Sequence, residues 1–136
     1  MTPAETTNDD HPLGALSETM GMVLVEARPE RVVITMPVAG NTQPYGLLHG
    51  GANAVLVETA GSIGAAQHAG PGFMVVGLDI SCTHHRGAKE GIVTAVAEPL
   101  SLGRTVTSYE VRITDEHDRP LCTGRLTCLL RPVTGP

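Results

Sequence analysis

One segment of this chain, Gly51 to about Gln67, has the length of a helix and is apolar on every side, through Ala52, Val55, Leu56, Val57, Ala60, Ile63 and Ala65. A helix with no polar face has to be buried. The segments around it read as strands. Met22 to Ala27 and Arg31 to Val38 are rich in Val and Ile and meet through Ala-Arg-Pro-Glu, which suits a hairpin. Beyond the helix come Phe73 to His85, Gly91 to Pro99, Arg104 to Asp115 and Pro120 to Arg131, separated by Gly, Asp, Pro or charged residues. The predicted order is β-β-α-β-β-β-β, in the α+β class. One sheet can bury one helix only by curling around it, so we expect a curved antiparallel sheet wrapped around a long central helix. The far face and the edges of such a sheet stay uncovered, which predicts a homo-oligomer.

The 136 residues leave room for one domain. Met1 to His11 is polar and aperiodic and is read as a disordered acidic tail, with a single domain over 12–136. A short helical turn is expected from Pro12 to Thr19, with Gly21 past its end. Aromatic residues are limited to Tyr45, Phe73 and Tyr109, so the core has to be aliphatic. That scarcity, with a net charge of -5, argues against nucleic-acid binding, which uses stacking platforms and cations. No apolar run approaches the ~20 residues of a membrane span, and the leading residues carry acids but no Lys or Arg, unlike a signal or transit peptide. Cys82, Cys122 and Cys128 lie within strand-like stretches without CxxC spacing. They read as small buried hydrophobes in a reducing compartment, hence a cytoplasmic protein. His84 and His85 are neighbours on a strand and point to opposite faces, and His11, His68 and His117 fall in tail or turns; no metal site is expected.

Between Arg31 and Asp79 lie 47 residues, and Glu58 is the single one with a formal charge. A carboxylate midway along a buried helix has to be paired, protonated or placed at a site that solvent reaches. No Lys or Arg lies within a turn of it. His49-Gly50-Gly51 leads into the helix, and the first amides of a helix are unpaired donors at the positive end of its dipole, suited to a developing oxyanion. Gly50 and Glu58 are eight residues apart, roughly 12 Å along a helix axis. They cannot both touch one carbonyl from the same chain. If both act, a second subunit has to lay its helix antiparallel alongside, giving two sites by two-fold symmetry. Ser62 shares the face of Glu58 one turn on.

The pattern Gln43-x5-His49-Gly50-Gly51-x6-Glu58-x3-Ser62 resembles the hotdog-fold acyl-CoA thioesterases, and within them the type that hydrolyses 4-hydroxybenzoyl-CoA and 1,4-dihydroxy-2-naphthoyl-CoA. The resemblance continues through VVGLDISCTHHRGAKEG, AVAEPLSLGRT and YEVRITDEHDRPLCTGRLT and covers roughly residues 12 to 131. It implies that the Gly50 amide polarises the thioester carbonyl, that His49 and Gln43 orient that carbonyl or the sulfur side, that Glu58 of the neighbouring subunit is nucleophile or general base, and that Ser62 supports Glu58 or the water. Glutamate rather than aspartate at position 58 separates the chain from the phenylacetate-pathway type. Coenzyme A, as part of the substrate, is expected along Gly77, His84, His85, Arg86, Gly87 and Lys89, and along Ser101, Leu102, Gly103, Arg104, Thr105 and Val106. The local basic run His84-His85-Arg86 with Lys89, the chain's one lysine, suits nucleotide phosphates on its own account. The resemblance further implies a dimer at minimum and a tetramer in full, with no cofactor beyond the substrate's own coenzyme A.

Two other readings stay open. One is a hotdog dehydratase or hydratase on acyl-CoA or acyl carrier protein, which usually has a proline-rich loop in place of His-Gly-Gly. The other is a non-catalytic acyl-CoA-binding protein. An aliphatic pocket accepts aromatic and medium-chain acyl groups alike, so the residues do not select between them.

Overall fold

The structure, a computed structural model, describes residues 13–133. The acidic tail expected over residues 1–11 lies outside the described residues, as do Pro12 and residues 134–136. Helix α1 (Ala15–Met20) is closed by Gly21 in the left-handed region at φ 77°, whose N–H returns to the last turn. Strands β1 (Val23–Arg28) and β2 (Arg31–Pro37) form the expected hairpin. Helix α2 (Gly50–Ala69) follows, then β3 (Phe73–His84), β4 (Ile92–Leu102), β5 (Val106–Thr114) and β6 (Pro120–Pro132). All pairings are antiparallel, in one sheet of order β1-β2-β4-β5-β6-β3. The sheet curves around α2, which packs against every strand.

Strand β4 continues past Pro99, where the sequence pattern places its end. Proline cannot donate to a ladder, but a register shift between Pro99 and Ser101 absorbs it and pairing resumes at Ser101 with Ser108. The following turn is tight, with the Gly103 N–H donating to the Val106 carbonyl, so Arg104 and Thr105 belong to the turn and not to β5.

The core lies between sheet and helix: Val32, Ile34, Met36, Leu56, Val57, Val111, Ile113, Leu121 and Leu126 are all essentially inaccessible. It carries one aromatic side chain. Tyr109 is fully buried, and its hydroxyl reaches the Pro29 carbonyl at 2.5 Å. Cys122 and Cys128 are buried and Cys82 half-buried, all three free. Burial pushes the Cys122 thiol up to about 12.

The expectation of a helix buried all round is corrected. Ala52, Asn53, Leu56, Val57, Ala60, Gly61, Gly64 and Ala65 are buried, whereas Gly51, Glu58, Ala66 and Gln67 are exposed in the single chain and Val55, Ser62 and Ile63 are partly covered. A helix on the concave side of one sheet can lay only one flank against it. The sheet's edge is open too: β3 pairs on one side only, with β6, and exposes Phe73, Met74, Leu78 and Ile80.

Candidate active site

The start of α2 is built by two imidazoles and two glycines. His49 is the N-cap residue, extended at φ -66° and ψ 132°, and its Nδ1 accepts from the Gly51 N–H at 2.8 Å. A Cβ on Gly51 would lie 2.9 Å from that nitrogen, so a side chain there would push the cap away. The His49 carbonyl takes the N–H groups of Ala52 and Asn53. The Gly50 N–H is left without a partner among the described residues. Gly50 in turn leaves room for His84 of β3, whose Nε2 would lie 3.0 Å from a Cβ at that position.

The loop before the helix is held by Asn41, whose amide donates to the Met20 and Pro37 carbonyls at 2.8 Å each, and whose carbonyl accepts from the His49 N–H. Gln43 closes a turn with Leu47 and spends its Oε1 on the Tyr45 N–H at 2.5 Å. Its NH₂ is thus the end available to a ligand. Gln43, Gly50, Asn53, His84 and Arg86 line one cleft of about 370 Å³. Three residues expected in separate roles, Gln43, Gly50 and His84, therefore meet in one place. His49 has its Nδ1 engaged in the cap and can offer only Nε2 outward.

Glu58 lies two turns further along, on the outward side. Its carboxylate rests on Gly77 of β3, where an added Cβ would come within 2.7 Å of Oε1. Glycine at 77 is what lets the carboxylate lie against the sheet. No cation pairs with Glu58 among the described residues. With Ser62, Ile63 and Val75 it lines a second, mainly apolar cleft of about 400 Å³. Beneath Ser62 lies Cys128, paired in register with Gly77 on one side and Thr107 on the other. Burial raises the Cys128 thiol; the Ser62 hydroxyl opposes that shift and the charge of Glu58 adds to it. Glu58 is exposed in the single chain, so of the three states open to it (paired, protonated or reached by solvent) it takes the last.

The residues expected to hold coenzyme A are only partly brought together within one chain. His84, His85, Arg86 and Gly87 line the Gly50 cleft, and His85 Nε2 also meets Thr123 Oγ1 at 2.9 Å. Gly87 packs on Leu47. The basic run is split: beyond the buried Ala88, Lys89 lies in a different cleft beside Glu90, Asp115 and Glu116. Gly77 lies under Glu58. Ser101 and Leu102 end β4, Gly103, Arg104 and Thr105 make the turn, and Val106 opens β5, all at the far end of α2. His68, expected in a surface turn, is in the last turn of that helix, half-buried and bonded through Nε2 to the Gly103 carbonyl at 2.7 Å. A helix of 20 residues is roughly 30 Å long, so the Arg86 and Arg104 groups of one chain do not share a phosphate. Asn53, which the sequence did not single out, is buried beside His84; its one visible signal was an amide in an otherwise apolar stretch. No group of three or more His, Cys, Asp or Glu side chains among the described residues is placed to hold a metal ion. No helix among them is long and apolar enough to cross a membrane.

Among the described residues the chain thus carries an unpaired helix-start donor in one cleft and an unpaired carboxylate in another. The sequence profile described as the thioesterase superfamily matches residues 45–122. The chain is 43% identical to the proofreading thioesterase EntH of Cronobacter sakazakii over 116 residues, 85% of either chain. It is 38% identical over 117 residues to a 1,4-dihydroxy-2-naphthoyl-CoA hydrolase of Listeria monocytogenes, covering 85% of this chain and 95% of that one. Its fold superimposes on a thioesterase of Haemophilus influenzae with a TM-score of 0.87 at 31% identity, over 99% of this chain and 94% of the other. The relatives compared are named as thioesterases or hydrolases, in line with neither the dehydratase nor the non-catalytic binding-protein reading. On its fold, its helix-start geometry and these likenesses, the chain belongs to the thioesterase superfamily and is a hotdog-fold thioester hydrolase.

Proposed function

We propose that the chain hydrolyses an aromatic or medium-chain acyl-CoA at a site shared between two subunits, with the Gly50 N–H as oxyanion donor and the partner's Glu58 as the attacking carboxylate or as general base on water. The observation that carries this reading is the division of one chain's unpaired groups between two clefts, Gly50 in one and Glu58 in the other. The carbonyl oxygen takes up negative charge as the tetrahedral centre forms, next to the Gly50 N–H. The thiolate of coenzyme A then leaves. If the carboxylate attacks directly, a mixed anhydride forms and water cleaves it; if it acts as base, water attacks and the carboxylate holds the proton. Ser62 steadies the carboxylate or the water, and His49 Nε2 and the Gln43 amide orient the carbonyl. Besides the ester, this chemistry needs only water.

The open edge of β3 and the uncovered flank of α2 support the assembly. A twelve-residue edge strand with exposed Phe73, Met74, Leu78 and Ile80 pairs readily with a second copy. Antiparallel pairing there lays two α2 helices side by side in opposite directions. The partner's Arg104 then comes to the same side as Arg86, so that one coenzyme A can reach both. The dimer is the minimum unit, with a tetramer as the full assembly. The apolar lining of the Glu58 cleft by Ile63 and Val75 suits an apolar acyl chain or ring, and the relative that acts on a naphthoyl-CoA favours the ring. Three free cysteines suit a reducing, cytoplasmic setting.

The test is free-thiol release from benzoyl-, hydroxybenzoyl-, naphthoyl- and medium-chain acyl-CoA by wild type and Glu58→Gln side by side. Glu58→Gln should lower kcat by about 10²–10⁴ with the fold intact. A variant that keeps wild-type kcat removes Glu58 from the mechanism. A wild type that is folded and oligomeric yet releases no thiol from any member removes the acyl-CoA assignment.

A further inference from the structure

Asn53 is buried, with 4% of its surface accessible, on the flank of α2 that faces the sheet. Its Nδ2 lies 3.3 Å from His84 Nδ1 across the gap between α2 and the end of β3. Its Oδ1 is buried and has no partner among the described residues. An amide nitrogen can only donate, so the ring nitrogen facing it has to accept, and a neutral imidazole then carries its proton on the other nitrogen. That other nitrogen, Nε2, is the one that closes on Gly50, the residue whose own N–H is unpaired. An apolar side chain of similar size would be less costly to bury here than an amide with one end unsatisfied.

We propose that Asn53 is a positioning residue that holds His84 in the Nε2–H tautomer, so that His84 presents a second N–H beside that of Gly50 to the thioester carbonyl. The inference rests on the thioesterase reading for its consequence, but the tautomer is a property of the free protein. Two N–H donors converging on one oxygen distinguish a built oxyanion site from a bare helix start. His84 then contributes at the reacting carbonyl and not at the nucleotide, while Arg86 keeps the nucleotide role proposed above.

Long-range ¹H–¹⁵N correlation spectra of the ¹⁵N-labelled protein at about pH 8, above the ordinary titration range of imidazole, read the tautomer directly. The His84 signals are assigned by their loss in His84→Gln. Wild type should show Nε2 protonated. Asn53→Asp, which places an acceptor opposite Nδ1, should move the proton to Nδ1, and Asn53→Leu should leave a mixture. Turnover should follow the tautomer: Asn53→Leu is expected to lose about tenfold in kcat with KM little changed, and to add little further loss in a His84→Ala background.

His84 found with Nδ1 protonated in wild type overturns the proposal. So does an Nε2–H form that persists unchanged in both Asn53 variants. A tautomer that inverts in Asn53→Asp while kcat stays at the wild-type value removes the donor role of His84. A wild type that hydrolyses no acyl-CoA overturns the thioesterase reading instead, and the spectra then still decide whether Asn53 orients His84.

Discussion

Glycines make room on both flanks of α2, and what they make room for is of opposite kinds. On the sheet side, Gly61 faces Leu126 and Gly64 faces Tyr109, and a Cβ on Gly64 would fall 2.5 Å from the ring carbon that carries the hydroxyl. On the outward side, Gly77 of β3 lies under Glu58, and a Cβ there would fall 2.7 Å from a carboxylate oxygen. Each glycine makes room by lacking the same methyl group. The difference is what that methyl would meet: a ring fixed by packing on one flank, the exposed end of a flexible side chain on the other. The sheet-side flank is held by packing, and the outward flank leaves an exposed carboxylate room to move.

Gly64→Ala is the larger perturbation. In an open helix the change would gain up to about 1 kcal/mol from propensity. Here Tyr109 is inaccessible and tied through its hydroxyl to Pro29, so the ring cannot swing aside and α2 has to lift from the sheet. Overpacking of this kind costs about 1–3 kcal/mol, and a contact this close to a doubly fixed ring belongs at the upper end. A net loss of about 2 kcal/mol should appear as a lower urea midpoint at unchanged slope. A midpoint at or above wild type would show that the ring moves freely and that the two flanks do not differ in rigidity.

Gly77→Ala is the matched experiment on the other flank. The added methyl displaces Glu58 Oε1, which can rotate toward open space, so stability should stay within about 0.5 kcal/mol of wild type. Activity should not be spared: a carboxylate moved by about an ångström is expected to lose tenfold or more in kcat. If kcat holds, Glu58 does not react from its seat on Gly77, and the contrast between the flanks reduces to packing alone.

The contrast also marks where the sequence stopped being informative. Helix, strands and their order were legible because apolar runs and Gly or Pro breaks are local signals. Glu58 and His49-Gly50-Gly51 were legible because a lone charge and paired glycines are conspicuous in an apolar stretch. Which flank of α2 is buried was not, since Val55 and Val57 look alike in a helix without a polar stripe, and only Val57 lies fully in the core. Asn53 escaped notice because its partner, His84, is 31 residues away on another element. Arg86 and Lys89 read as one basic run because spacing along the chain does not show that they line different clefts. Strand β4 was read short because a proline marks a strand end unless a bulge absorbs it.

Tyr109→Phe sharpens the comparison with the smallest change, one oxygen on the sheet-side flank. Burial, with the charge of Glu30 adding to it, pushes the Tyr109 hydroxyl up to about 12. An unfolded tyrosine titrates near 10, so the folded state holds this proton more tightly. The contribution is intact below about pH 10 and is lost as pH rises from there through about 12, because the unfolded chain ionises first. At neutral pH the variant should lose about 1 kcal/mol with the hydrogen bond to the Pro29 carbonyl. Between pH 10 and 12 its stability should fall less steeply than that of wild type, so the two urea midpoints converge. Since Glu58 and Gly50 lie away from this ring, kcat near pH 8 should match wild type. A fall in kcat with the fold intact would mean that strain on the sheet side reaches the outward flank through α2, and that the two flanks are one mechanical unit.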